Sequence, residues 1–417
     1  DVRLDYDAHF LSVSQKIDYT NNTGESLTEL PLVVSTARDH NVFSLLTLQL
    51  APSFSKTSVI VDGAKILLQL DPTLEPGDRL TADLVYEIRP PQRSNALGYT
   101  QRQMLLTDWY PFIPPFNQDQ GWIINPPGAV GEHQVYPLSN IAINLQILPS
   151  EKELVVAASA PVSAQKGTCY QYSASQVRNF SLAISPEYKL TSKTNALGTV
   201  KIYTFPEHAE MGDRAADIAL RAWETFTDIY GPNPREFMSM VEAEIEDGLE
   251  GDGLFYLSDW YLKTADHTPQ NYFELLVVHE TSHQWFYGLI HNDQAQEPWL
   301  DEALATYSEL LFYEKHHPGL VSWWWDFRVN TYAPSGNVNA TIYDYESYRV
   351  YVNAVYLMGA RFIDTIRKSI GETDFREFLK SYTQSGEDDI RTEADFFTIL
   401  GDITTADISK IKSGFFK

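Results

Sequence analysis

The chain has 417 residues, too many for one ordinary core, so more than one domain is expected. Hydrophobic residues make up 43% and charged residues 21%, with 24 Tyr, 21 Phe and 9 Trp, a composition that excludes a mainly disordered chain. The formal net charge of -25 argues against a basic phosphate-binding face, so no nucleic-acid partner is expected.

The first two hundred residues read as β structure. In "RLTADLVYEI", Leu80, Ala82, Leu84, Tyr86 and Ile88 alternate with polar neighbours, the period of a half-buried strand. "IAINLQILP" repeats the pattern with Ile141, Ile143, Leu145 and Ile147, and "GTVKIYTF" adds a further short strand. Turn clusters such as "TNNTGES" and "EPGD" separate these runs, so an antiparallel sandwich or saddle is expected. Residues 109–128, "WYPFIPPFNQDQGWIINPPG", are too rich in proline for a central strand and read as a packed loop, either a plug between domains or a wall of a substrate cleft. The single cysteine, Cys169, has no intrachain partner and is expected as a small buried hydrophobe.

After residue 206 the period changes to that of helices. "HAEMGDRAADIALRAWETFTDIYGPNP" ends at Gly231 followed by two prolines, the stop of a long helix. From there to Lys417 the chain reads as mainly helical, apart from a strand-like "REFMSMVEAEI". The polar, turn-rich stretch at 186–196 places the boundary, giving a β-sheet domain over 1–190 and a mainly helical domain over 191–417, an α+β fold. No run of about 18 apolar residues occurs, so no membrane-spanning helix is expected. The chain begins at Asp1 without a charged-then-apolar leader, which favours an exported or cell-surface location with a processed N-terminus over a cytoplasmic one.

The chemistry concentrates in "TPQNYFELLVVHETSHQWFYG", where Thr268 is the expected N-cap, Pro269 the first helical residue and Gly288 the stop. His279 and His283, four apart, then share a helix face and can aim at one ion, while Glu280 reaches a water on that ion. Eighteen residues separate His283 from Glu302, one turn inside a second helix that starts at "EPWLDEALATYSE". Two histidines and a glutamate leave a fourth position for water, the open arrangement of a catalytic zinc site, and one cysteine excludes a structural thiolate site. Glu309, seven residues beyond Glu302, lies on the same helical face and can accept from a ligand histidine.

"HETSHQWFYGLI" followed by "EPWLDEALATYSE" resembles the aminopeptidase N family of gluzincin zinc peptidases, in weaker form from "YGPNP" at 230 to "IGETDFREFLKSY" ending at 382. The resemblance implies an N-terminal saddle domain, then a thermolysin-like catalytic domain holding one zinc ion through His279, His283 and Glu302, with Glu280 as general base. It also implies that Tyr356, in "YLMGARF", stabilises the oxyanion, although Met358 stands where the family has lysine. The family's G-x-M-E-N loop is matched by "DGLEG", where Glu250 would hold the substrate ammonium, but Asp247 replaces the first glycine and Gly251 the asparagine. Glu250 otherwise reads as part of a solvated acidic loop, since six carboxylates lie between Glu242 and Asp252.

The expected function is a zinc aminopeptidase acting on peptide substrates. A thermolysin-type endopeptidase and a catalytically silent peptide-binding protein are the alternatives. Many relatives continue into a large helical domain that roofs the cleft, and a chain that stops at Lys417 is expected to have a more open one.

Overall fold

The computed structural model of the chain describes residues 1–51, 55–384 and 390–417, and for 55–62 the backbone alone. It divides into two compact units, Asp1–Ile124 with Tyr136–Tyr188, and Asn125–Val135 with Lys189–Lys417. Each unit has its own apolar core. The architecture is α+β, as the sequence leads one to expect.

The first unit is built on a seven-stranded sheet. Its strands are Val2–Asp5 (β1), Phe10–Thr20 (β2), Phe43–Leu50 (β3), Arg79–Ile88 (β4), Ser139–Ile147 (β5), Val162–Lys166 (β6) and Cys169–Val177 (β7), in the order β6-β7-β5-β1-β2-β4-β3. Only β1 with β5 runs parallel; the other pairs are antiparallel. Leu80, Ala82, Leu84, Tyr86 and Ile88 of β4 all face inward, each large aliphatic contributing about 1.5–3 kcal/mol by leaving water. In the 109–128 stretch, Trp109 and Ile113 enter this core, and Trp109 Nε1 donates to the Phe180 carbonyl at 3.0 Å. Cys169 is exposed, contrary to expectation. It opens β7 opposite Lys166 of β6, a strand exposed along its whole length, so position in the hairpin overrides the apolar preference of a thiol.

The second unit opens with a sheet that includes both strand-like segments read from the sequence, "GTVKIYTF" and "REFMSMVEAEI". Lys189–Thr194 (β8), Thr199–Thr204 (β9), Phe237–Ala243 (β10), Gly248–Leu249 (β11) and Leu254–Ser258 (β12) form one sheet in the order β8-β9-β10-β12-β11. "GTVKIYTF" forms β9 of this sheet, paired in parallel with β10. Around the sheet stand Met211–Tyr230 (α1), Tyr272–Ser282 (α2), Trp299–His316 (α3) and Gly359–Ile370 (α4). The segment Asn125–Val135, inside the β region by sequence, also belongs to this unit.

Helix α2 is central. From Phe273 to Ser282 every residue is buried, because "FELLVVHETS" has no continuous polar face, and the helix packs against α1 and α3. Its cap is Asn271, whose side chain accepts from Glu274 N at 3.0 Å, and not Thr268, whose hydroxyl is taken by Asp266 at 2.7 Å. Nor does the helix run to Gly288. The chain tightens after Ser282, with Trp285 N bonding Ser282 O at 2.9 Å, and this turn carries the Trp285 indole inward to donate to Gly231 O at 3.0 Å.

Asn271→Ala removes the cap of the helix that carries both histidines and should cost about 1 kcal/mol. A lower denaturant midpoint, with unchanged slope, checks this; an unchanged midpoint would show that the N-terminus is held by other contacts.

Candidate metal centre

Helices α2 and α3 face each other, and together they supply the donors. His279 lies in the last turns of α2 and His283 caps it in helical conformation, so the four-residue spacing still brings the rings together, edge to face with centroids 4.9 Å apart. Asp301, Glu302 and Glu309 all come from α3. Glu302 Oε2 sits 3.3 Å from His279 Nε2 and 3.7 Å from His283 Nε2. Ligands about 2.1 Å from one tetrahedral ion are separated by roughly 3.4 Å, close to both distances to Glu302, and all three atoms lie within 4.8 Å of one another.

The other ring nitrogens are also held. His279 Nδ1 lies 3.0 Å from Glu309 Oε1, the partner expected from the sequence, and His283 Nδ1 lies 2.7 Å from Asp301 Oδ1. A neutral imidazole has one N–H; once it is given to Glu309 or Asp301, the Nε2 lone pair points at the lone pairs of Glu302. That arrangement requires positive charge between them. Burial would lower the His279 pKa, but hydrogen bonds to Glu302 and Glu309 outweigh it and push it up to about 9. His283 is raised well above its usual range because Asp301 and Glu302 outweigh its burial. A bound divalent cation supplies that charge instead of protons. The nitrogen and oxygen donors, with carboxylates behind both rings, fit zinc.

Glu309 is anchored in turn. Arg328 reaches both its oxygens at 2.9 Å, and Trp324 Nε1 donates to it at 3.1 Å. Burial opposes this charge, and chiefly Arg328 overcomes it, so the carboxyl stays below its usual range. Sequence reasoning missed Arg328 and Trp324, which lie on irregular helix after α3, and missed Asp301, although it adjoins Glu302.

Glu280 is 4% exposed, and its Oε2 has no hydrogen-bond partner. Burial, offset by the two histidines, pushes its pKa up to about 8. Gly248 of β11 abuts this carboxylate so closely that a Cβ there would collide with it. Tyr356 sits on a π-helical turn, Asn353–Met358, with its ring parallel to that of His279 at 6.1 Å and its hydroxyl bonded to Glu302. Burial, then the Glu302 charge, raises it well above the ordinary phenol range, so it remains a proton donor.

Glu250 is buried rather than part of a solvated loop. Its Oε1 accepts from Gln294 Nε2 at 2.8 Å, and Gln294 also donates to Asp301 Oδ2 at 2.9 Å. Where asparagine was expected, the Gly251 carbonyl accepts from Gln284 Nε2 at 3.0 Å, and Gln284 Oε1 accepts from Gly253 N at 2.9 Å, fixing the loop from the α2 side. Beside Glu250 lies Glu132, unforeseen from the sequence; carboxylate oxygens of Glu132, Glu250 and Glu302 lie within 4.8 Å of one another. Gly131, with φ of +72° and tight against Ile342 and Tyr351, turns the chain to present it. Burial raises the pKa of both glutamates, Glu132 further because Glu250 and Glu302 crowd it.

Residues 248–415 match the Peptidase family M1 domain. That match falls within the second unit. Among curated proteins, aminopeptidase N of Lactobacillus delbrueckii subsp. lactis is 26% identical over 244 residues, 53% of this chain and 28% of that protein. Aminopeptidase M1-B of Oryza sativa subsp. japonica is 25% identical over 200 residues, 44% of this chain and 23% of that protein. The chain thus spans about a quarter of the length of these M1 relatives. The fold of an M1 zinc metallopeptidase from Deinococcus radiodurans aligns over 100% of this chain and 92% of that one, with a TM-score of 0.70 at 16% identity. A mutant of that peptidase has been solved bound to a Tyr-Ser-Ala substrate, with a TM-score of 0.69, 16% identity and the same coverage.

Replacing Asp301 by Asn or Glu309 by Gln should each weaken zinc binding about 10- to 100-fold in chelator competition. Unchanged affinity in both variants would mean that the rings are oriented without these carboxylates.

Proposed function

We propose that this protein is a zinc-dependent aminopeptidase of peptidase family M1, with His279, His283 and Glu302 as ligands, Glu280 as general base and Tyr356 as oxyanion donor. The observation that carries the aminopeptidase reading, rather than an endopeptidase one, is the pair Glu132 and Glu250 beside Glu302. Two carboxylates crowded at one end of the donor set are costly unless a cation joins them, and the ammonium of a peptide is such a cation. The curated relatives carry aminopeptidase names, which supports the same reading.

When bound, zinc polarises the scissile carbonyl and lowers the pKa of water toward 7. Glu280 takes the proton from the attacking water and passes it to the departing amine, a task suited to a carboxyl whose pKa stands near 8. The neutral Tyr356 hydroxyl donates to the oxygen that gains charge. Glu250 and Glu132 hold the ammonium, which limits hydrolysis to the first peptide bond. Asp301 and Glu309 keep both imidazoles aimed at the ion.

Chromogenic aminoacyl amides, each compared with its N-acetyl twin, test the reading. The free-amine member should be hydrolysed, the blocked one should not, and Glu280→Gln should abolish turnover. Equal turnover of blocked substrates would make the protein an endopeptidase, and zinc binding with no turnover would make it a binding protein.

Tyr356→Phe should retain one zinc ion and lose about 10²- to 10³-fold in kcat. Loss in KM alone would assign the hydroxyl to substrate binding.

A further inference from the structure

The geometry points to a side-chain subsite beside the metal centre that takes a cationic N-terminal residue, lysine or arginine, with Asp247 as its counter-ion. This rests on the aminopeptidase reading and concerns which residue is removed.

The donors open into a cavity of about 400 Å³, walled by Asp247, Tyr261, Tyr272, Tyr332 and Tyr348 together with Glu280. Asp247 is half-buried, and its oxygens are oriented by the protein. Oδ1 accepts from the Tyr261 hydroxyl at 2.7 Å and from Gly248 N at 3.0 Å, and Oδ2 accepts from the Tyr348 hydroxyl at 2.9 Å. A carboxylate oxygen has two lone-pair positions, so Oδ1 is saturated and Oδ2 keeps one for a further donor.

That carboxylate has no ion-pair partner among the described residues. Arg328 feels its field, but the guanidinium is committed to both oxygens of Glu309. At the rim, Glu246 and Arg349 are exposed and of opposite sign, so they offset each other and are screened by water; the Arg349 guanidinium lies over the Tyr332 ring at 4.3 Å. Asp247 is the half-buried charge left uncompensated on this side.

An independent feature says that a ligand belongs here. Glu280 lines the same cavity, is 4% exposed, and has an oxygen without a partner. Gly248, the next residue after Asp247, touches that carboxylate, which places the Asp247 backbone one residue from the reacting end. The phenol rings suit the aliphatic stem of lysine or arginine and the face of a guanidinium. A neutral side chain of equal length would fill the same space and leave Oδ2 unanswered.

The test compares kcat/KM for lysyl and norleucyl amidocoumarins, side chains of similar reach with and without the charge, in the zinc-loaded wild type, Asp247→Asn and Asp247→Gly. Wild type should favour lysyl about tenfold or more, the size of one charge-assisted hydrogen bond. Both variants should bring the ratio close to one. Because Asp247 also anchors two phenols, the ratio and not the rate is the readout, and the wild-type ratio stands whatever the variants do to folding. A wild-type ratio at or below one, or a ratio unmoved in either active variant, overturns the inference while leaving the aminopeptidase reading intact. No turnover of either free-amine substrate by the wild type overturns both.

Discussion

The second unit is organised around one electrostatic constraint: two imidazole lone pairs and a carboxylate meet at a buried point where only a cation makes the meeting favourable. Everything near that point serves to hold the groups there. Helix α2 is buried on every side because the point lies inside the core, and α3 is carboxylate-rich on one face because both rings need an acceptor behind them. Glu309 in turn needs Arg328 and Trp324, since a third buried carboxylate without a partner would disfavour the fold.

The same excess of negative charge sets the chemistry. Glu280, Glu250 and Glu132 are buried or half-buried carboxyls whose pKa is raised by desolvation, so each is poised to take a proton or a cation. Tyr356 is kept neutral by the same burial, its ring parallel to that of His279. In the proposed function, a proton acceptor, a donor and an ammonium holder arise from one cavity whose polar groups differ in what compensates them. Asp247 extends that logic outward to the substrate side chain.

How much of this was legible in the sequence depended on whether a relation was local. The pairing of His279 with His283, and of Glu302 with Glu309, follows from helical period, and each pair shares a face in the structure. The end of α2 was not legible, because it depends on Trp285 finding a place in the core rather than on Gly288. Nor was the cap: Thr268 and Asn271 are both good capping residues, and Asp266 occupies the first. Glu132 lies more than a hundred residues upstream in irregular chain, and Arg328 on a π-helical turn, so neither has a periodic signal. The sheet of β8 to β12 was only half visible, as its short strands lack a clean alternation between buried and exposed positions.

The most direct test of the account is anomalous diffraction at the zinc edge on crystals of the zinc-loaded protein. The account predicts a single strong peak per chain, bonded to His279 Nε2, His283 Nε2 and a Glu302 oxygen at about 2.0–2.2 Å. A zinc ion held elsewhere, or no zinc at this point in a fully folded crystal, would contradict it.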